Sequence, residues 1–310
     1  MTRRNLILII LVVLLIGVGS IIYFGKSPSQ GSVFGTSINS FYSQKISKID
    51  PPPTRKPSAS DPRINAQSAI LMHEASMYPL YSKNADYQIP VASITKIMTA
   101  VVALENYKLD DVIEVSADSV NVTPSVMNLS TGEKITVRNL LYGLLLQSGN
   151  DAALALASGK MPMEKFINLM NQKASELGLE KTKFEDPAGL DDQGHSSAID
   201  VAILFSYALR NPEIEKIIST PEIEVTSVDQ SIVHQLKNSN RLTTGEIPLD
   251  GVMGGKTGYT PDAGHTLVSA ATRDGQTLIS VVLKTYSNAA SASAEESRNL
   301  LVWGFGSYNF

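Results

Sequence analysis

Ser93 is followed three residues later by Lys96, in the run Pro90-Val91-Ala92-Ser93-Ile94-Thr95-Lys96-Ile97-Met98-Thr99-Ala100. A serine hydroxyl is a poor nucleophile until a base takes its proton, and this run holds neither histidine nor carboxylate. At i and i+3 both side chains lie on one helix face, so the amine can reach the serine oxygen. It can act as a base only if partly neutral, which burial or a second nearby cation brings about. No other serine among the 310 residues has a lysine three positions on. Two further motifs follow in order: Ser148-Gly149-Asn150, 55 residues after Ser93, and Lys256-Thr257-Gly258, 108 residues after Ser148. These intervals leave room for helices, and the third motif lies in a strand-like run.

Other chemistries are disfavoured by composition. There is no cysteine, which excludes disulfides, a cysteine nucleophile, thiolate metal sites and a lipid-modified cysteine. His73, His195, His234 and His265 are scattered without metal-ligand spacing, so neither a metal nor another cofactor is expected. A net charge of −4 with no basic cluster argues against a nucleic-acid partner. With 43% hydrophobic residues the chain can bury one sizeable core.

Leu6 to Phe24 is a 19-residue apolar run, interrupted only by Gly17, Gly19 and Ser20. As a helix it would span roughly 28 Å, about one hydrocarbon core. Arg3 and Arg4 precede it and Lys26 follows, so the positive-inside bias puts the N-terminus in the cytoplasm and the rest outside. A cleaved signal peptide is the competing reading; the continuation through Ile21, Ile22, Tyr23 and Phe24 favours an anchor. Residues 25–62, rich in Ser, Gly, Pro and Lys and ending in Pro51-Pro52-Pro53 and Pro57-Ser58-Ala59-Ser60, read as a flexible linker. The expected organisation is a membrane anchor over 1–24, a linker over 25–62 and a catalytic domain over 63–310.

Within that domain, Ala66 to Met72 and Pro79 to Ser82 read as strands, and Ser93 to about Asn106 as a helix with the nucleophile at its N-terminus. Thr136 to Leu146 reads as a core helix that delivers Ser148 and Asn150, followed by a second helix from Asp151 to Ala157. Gly251–Thr257, Gly264–Thr272 and Gln276–Lys284 read as three strands, and Ala292–Trp303 as a closing helix. Strands at both ends with helices between them predict an α+β fold: an antiparallel sheet built from both ends of the domain, covered by helices.

The ordered triple is the active-site set of penicillin-binding proteins and class A β-lactamases. Residues 63 to about 308 resemble the serine-type D-alanyl-D-alanine carboxypeptidases, the low-molecular-mass penicillin-binding proteins. Leu80-Tyr81-Ser82-Lys83-Asn84-Ala85-Asp86, Gly132-Glu133-Lys134-Ile135-Thr136, Gln147 to Ala153, Phe184-Glu185-Asp186-Pro187-Ala188-Gly189-Leu190 and Gly255 to Gly264 carry this likeness. It implies a β-lactamase/transpeptidase-like fold with a helical lobe, and a peptidoglycan stem peptide ending in D-Ala-D-Ala as substrate. It also implies Ser93 as acylated nucleophile, Lys96 as general base and Ser148 as proton relay. Asn150 would position Lys96 and the substrate amide, Lys256 would help keep Lys96 neutral, and Thr257 would meet the terminal carboxylate. Gly258 and Tyr259 would line the binding strand, and the Ser93 and Tyr259 amides would form the oxyanion hole. β-Lactam antibiotics are implied as covalent inhibitors.

Three departures stand out. Ser196-Ser197-Ala198 replaces the Ser-Thr-Ala common among relatives. The Arg that grips the carboxylate in some relatives is missing from Gln276-Thr277-Leu278-Ile279, which leaves Arg273 as a weak candidate. Relatives often carry a further β-rich domain and a C-terminal membrane helix, a tether for which the anchor at 6–24 would substitute. The leading expectation is a single-pass cell-membrane carboxypeptidase facing outward. A D,D-endopeptidase is the alternative; a β-lactamase is less favoured because no deacylating Glu motif appears, Glu164 reading as a solvated helix residue. An inactive wall-binding scaffold comes last.

Overall fold

Residues 51–310 are those described by the computed structural model. The anchor expected at 1–24 and the first part of the expected linker lie outside the described residues. Among the described residues, no helix is long and apolar enough to cross a membrane.

The strands are β1 Thr54–Arg55, β2 Ala66–His73, β3 Tyr78–Lys83, β4 Val112–Glu114, β5 Lys134–Thr136, β6 Glu222–Thr226, β7 Val233–Lys237, β8 Val252–Thr260, β9 Gly264–Arg273, β10 Gln276–Thr285 and β11 Tyr308–Asn309. The helices are α1 Lys96–Asn106, α2 Ala117–Val120, α3 Val137–Leu145, α4 Asn150–Ser158, α5 Met163–Glu176, α6 Ala198–Leu209, α7 Pro212–Ile218 and α8 Ala292–Ser307.

Period-two alternation along β10 shows how the central sheet is buried on both faces. Leu278 and Val282 join Ala69, Leu71, Leu300 and Leu301 in one apolar cluster beneath α8. Ile279, Val281 and Leu283 point the other way, into the main core with Ile70, Met72 and the α6 residues Val201 and Phe205. The sheet is antiparallel throughout, in the order β3-β2-β10-β9-β8, so both ends of the domain contribute as expected. Asp274 and Gly275 link β9 to β10, both with positive φ (50° and 76°), the geometry of a type I′ hairpin turn. Helices α1, α3, α4 and α5 pack on one another as a helical lobe.

Two expectations change. The helix containing Ser93 begins as a 3-10 turn, Ala92–Thr95, and becomes α-helical only at Lys96. The expected linker also ends earlier. Thr54–Arg55 pairs with Tyr308–Asn309, Lys56 N–H bonds to the Ser307 carbonyl at 2.9 Å, and the Trp303 indole donates to the Ser60 carbonyl at 2.7 Å. Arg55 lies over the Trp303 ring, 5.7 Å from its centroid, and pairs with Asp61 at 2.8 Å. Residues 54–61 have little to bury; backbone pairing and one indole hold them to the domain instead.

Candidate active site

The Ser93 turn, the α3–α4 junction and β8 come together at one end of the sheet. Lys96 is fully buried, its Nζ 2.8 Å from Ser93 Oγ, 2.7 Å from Asn150 Oδ1 and 2.7 Å from the Ala188 carbonyl. A neutral amine has two N–H groups and one lone pair. It satisfies this set by donating to Asn150 and Ala188 and accepting from the Ser93 hydroxyl, the arrangement of a general base. Burial pushes Lys96 down from 10.5 to about 7, against the upward pull of the Asp186 and Asp151 carboxylates.

Lys256 is also buried. Its Nζ donates to Ser148 Oγ at 2.9 Å and to the Thr257 carbonyl at 2.8 Å. Burial, and then the charge of Lys96, push it well below the usual lysine range. At Lys96, where Lys256 was expected to help, burial is the main cause.

Local structure explains how these side chains are aimed. Ser148 has φ +63°, a left-handed residue that turns the chain sharply between α3 and α4. Asn150 opens α4, held by its N–H to the Ser125 carbonyl at 2.8 Å and by Nδ2 to the Thr123 carbonyl at 3.0 Å. Its remaining amide oxygen is left for Lys96. Asp151 accepts the Met127 and Leu129 amides at 2.9 and 3.1 Å and so pins the same wall.

The Ala188 carbonyl is presented by a loop wound around Asp186. That carboxylate accepts the N–H groups of Ala188, Gly189, Leu190 and Asp191 at 2.6–2.9 Å. Gly189 has φ +76°, and a Cβ there would lie 2.0 Å from the Ala92 carbonyl, so only glycine lets the loop close on the Ser93 turn.

Strand β8 is the sheet edge facing Ser93. A Cβ on Gly258 would come within 2.9 Å of the Val91 carbonyl and 3.1 Å of Ser93 N, so glycine sets how closely this edge approaches. Unpaired backbone groups on an edge strand are a template for an extended peptide. Thr257 Oγ1 lies 2.6 Å from Ser239 Oγ. Tyr259 is 59% exposed, its ring 4.5 Å from that of His265.

The sequence reading assigned no role to Ser239 or to the Asp186 loop. Ser239 follows the β6–β7 hairpin, 17 residues before Lys256, with nothing local to mark it. The Asp-x-x-Gly pattern at Asp186 was a visible turn signal. Arg273 is excluded from the site: it ends β9 at the opposite end of the sheet, its guanidinium 4.8 Å from the Phe305 ring centroid and its Nε on the Asp250 carbonyl. Lys284 is at the other end of the sheet from Arg273, its Cγ 3.2 Å from where a Cβ on Gly264 would lie. Ser197 caps α6 through the Asp200 amide at 3.1 Å, a task any small hydroxyl residue performs. Glu164 is exposed on α5, as expected.

Residues 55–287 match the peptidase S11 family, described as D-alanyl-D-alanine carboxypeptidase. D-alanyl-D-alanine carboxypeptidase DacF of Bacillus subtilis is 36% identical over 246 residues, covering 76% of this chain and 60% of the relative. DacC of Escherichia coli is 38% identical over 259 residues, covering 79% and 62%. The chain thus spans about three fifths of these two relatives, but 88% of a Streptomyces K15 D-alanyl-D-alanine carboxypeptidase that is 35% identical. The crystal structure of the Streptomyces K15 DD-transpeptidase superposes with a TM-score of 0.74 at 32% identity, covering 80% of this chain and all of that one. A penicillin-binding protein homologue from Mycobacterium tuberculosis gives 0.75 at 31%, covering 82% and 96%. With its motifs gathered in one site and most of its length matched, the chain belongs to the D-alanyl-D-alanine carboxypeptidase family, peptidase S11.

Proposed function

We propose that this chain is a serine D,D-carboxypeptidase that removes the terminal D-Ala from peptidoglycan stem peptides. The observation that carries the reading is Lys96: wholly buried, its titration brought down by that burial to about 7, and in contact with Ser93 Oγ at 2.8 Å. Ser93 Oγ attacks the D-Ala–D-Ala carbonyl and its proton passes to Lys96 Nζ. The tetrahedral oxyanion is held by the Ser93 and Tyr259 amides. Ser148, bonded to Lys256, relays a proton to the leaving nitrogen as the C–N bond breaks. Water then takes the acyl group from Ser93, with Lys96 again accepting the proton. Asn150 orients Lys96, Gly258 admits the peptide to the β8 edge, and Thr257 with Ser239 meets the terminal carboxylate.

Release of D-alanine from a soluble pentapeptide by wild type, and its loss in Ser93→Ala, tests the reading. A folded wild type that releases none refutes it. The edge-strand groove also suits the alternative, a D,D-endopeptidase, which would produce monomers from cross-linked muropeptides. β-Lactams should acylate Ser93 and stay bound; rapid penicillin turnover would restore the β-lactamase reading. We also propose that residues 6–24 anchor the protein in the cell membrane, with the domain outside the cytoplasm. Accessibility of the domain to protease in intact cells tests that placement.

A further inference from the structure

Among the described residues, three aromatic side chains are more than half exposed: Tyr87 at 60%, Tyr259 at 59% and Tyr286 at 63%. Isolated exposed tyrosines need no explanation, but these three share one end of the sheet. In the antiparallel order β3-β2-β10-β9-β8, the ends of β3, β10 and β8 lie together with the starts of β2 and β9. Tyr259 is on β8 one residue before its end. Tyr286 directly follows β10, its N–H bonded to the Asn65 carbonyl just before β2. Tyr87 follows β3, its N–H on the Asn84 carbonyl, while Asn84 Nδ2 reaches back to the Gln67 carbonyl on β2. This is the end at which Ser93 meets β8.

Lysine and histidine side chains are interleaved with the rings. Lys83 Nζ is 5.6 Å from the Tyr286 ring centroid, and His265 stacks on Tyr259. Continuing the register Leu267–Val282 brings Lys284 opposite His265, in agreement with its contact at Gly264. Two strand spacings separate β8 from β10, so Tyr259 and Tyr286 stand on the order of 10 Å apart across the sheet. Elsewhere on the domain, Tyr81 and Tyr308 each meet the Trp303 ring edge to face.

We infer that this row of tyrosines and cations, running from the catalytic serine across the strand ends, is a landing surface for the glycan strand of polymeric peptidoglycan. This rests on the carboxypeptidase reading and extends it from the stem peptide to the polymer. Flat, exposed tyrosine rings present an apolar face with a polar tip, which suits the C–H faces and hydroxyls of pyranose rings. Lys83 and Lys284 complement the carboxylates of neighbouring stem peptides. The ledge is continuous with the β8 groove, so a strand lying on it delivers a stem peptide to Ser93. Many weak contacts along one polymer raise the local concentration of substrate at the site.

The test compares full-length wild type with Tyr286→Ala, Tyr87→Ala and the double variant on two substrates: a soluble pentapeptide and purified sacculi. Neither tyrosine belongs to the catalytic machinery, so D-alanine release from the pentapeptide is expected to stay within about twofold of wild type. Release from sacculi is expected to fall about tenfold in the double variant, with Tyr286→Phe retaining the wild-type rate. Peptide-free glycan strands should compete for the sacculus reaction. Equal losses on both substrates, no loss on either, or competition by free stem peptide alone overturns the inference. Co-sedimentation with sacculi gives a readout independent of catalysis. If wild type released no D-alanine from either substrate, the carboxypeptidase reading would fall; binding lost in the double variant would still support the ledge, and binding retained would refute it.

Discussion

Acylation of Ser93 should depend on pH through Lys96. The amine accepts the serine proton only when neutral, and burial places its titration at about 7. Below that point each pH unit removes ~tenfold of the neutral amine, so acylation near pH 5 should be on the order of 100-fold below its plateau. The same titration appears in stability, with a definite sign. The folded value, about 7, lies below the unfolded 10.5, so between them the unfolded chain binds the extra proton and stability rises with pH. The cost of burying the charge is present in full below about 7 and is gone above 10.5. At ~1.4 kcal/mol per pH unit, that gap amounts to roughly 5 kcal/mol. Lys96→Met removes the titrating group at similar volume. The variant should acylate at least ~100-fold more slowly, as expected for loss of a general base. Its stability relative to wild type should be greatest, and constant, below about pH 7 and decline from there toward pH 10. Stopped-flow acylation with a fluorescent penicillin and urea denaturation, each from about pH 5 to 10, measure the two effects. An acylation profile flat from pH 5 to 8, or a stability difference independent of pH, refutes the assignment of Lys96 as a buried neutral base.

Gly258→Ala should cut acylation by at least ~100-fold while the protein stays folded, because the new Cβ meets the Val91 carbonyl at 2.9 Å and Ser93 N at 3.1 Å. Penicillin labelling with circular dichroism checks both parts. His234→Leu should destabilise the domain by about 1–3 kcal/mol, since Glu133 Oε1, buried and 2.7 Å from His234 Nε2, loses its hydrogen-bond partner. Urea denaturation of His234→Leu and of Glu133→Leu/His234→Leu checks this; the double variant should recover most of the loss.

Much of the site could be read from local pattern. The i, i+3 placement of Ser93 and Lys96 is a property of one turn, and the strand runs at both ends of the domain announced the sheet. Ser148, Asn150, Lys256 and Thr257 were named from short motifs, and the structure brings them together. What escaped was long-range. Ser239 reaches Thr257 only because the β6–β7 hairpin folds over α3, with Ser239 N–H on the Leu146 carbonyl at 2.9 Å. Arg273 looked available because its position along the chain does not reveal which end of the sheet it occupies.

Sequence by itself determined which groups could do the chemistry, the family likeness and the strands of the central sheet with the helices that carry the motifs, because side-chain spacing and hydrophobic period are local properties of the chain. Tertiary structure decided the rest. It set the protonation of Lys96 through burial that no neighbouring residue foretells. It attached residues 54–61 to the last helix and strand although they are nearly bare of apolar side chains. It gathered Tyr87, Tyr259 and Tyr286 at one end of the sheet, although they are spread over 199 positions from 87 to 286. Desolvation, pairing of distant backbone and a shared surface all depend on what the fold brings near, and those neighbours are far away along the chain.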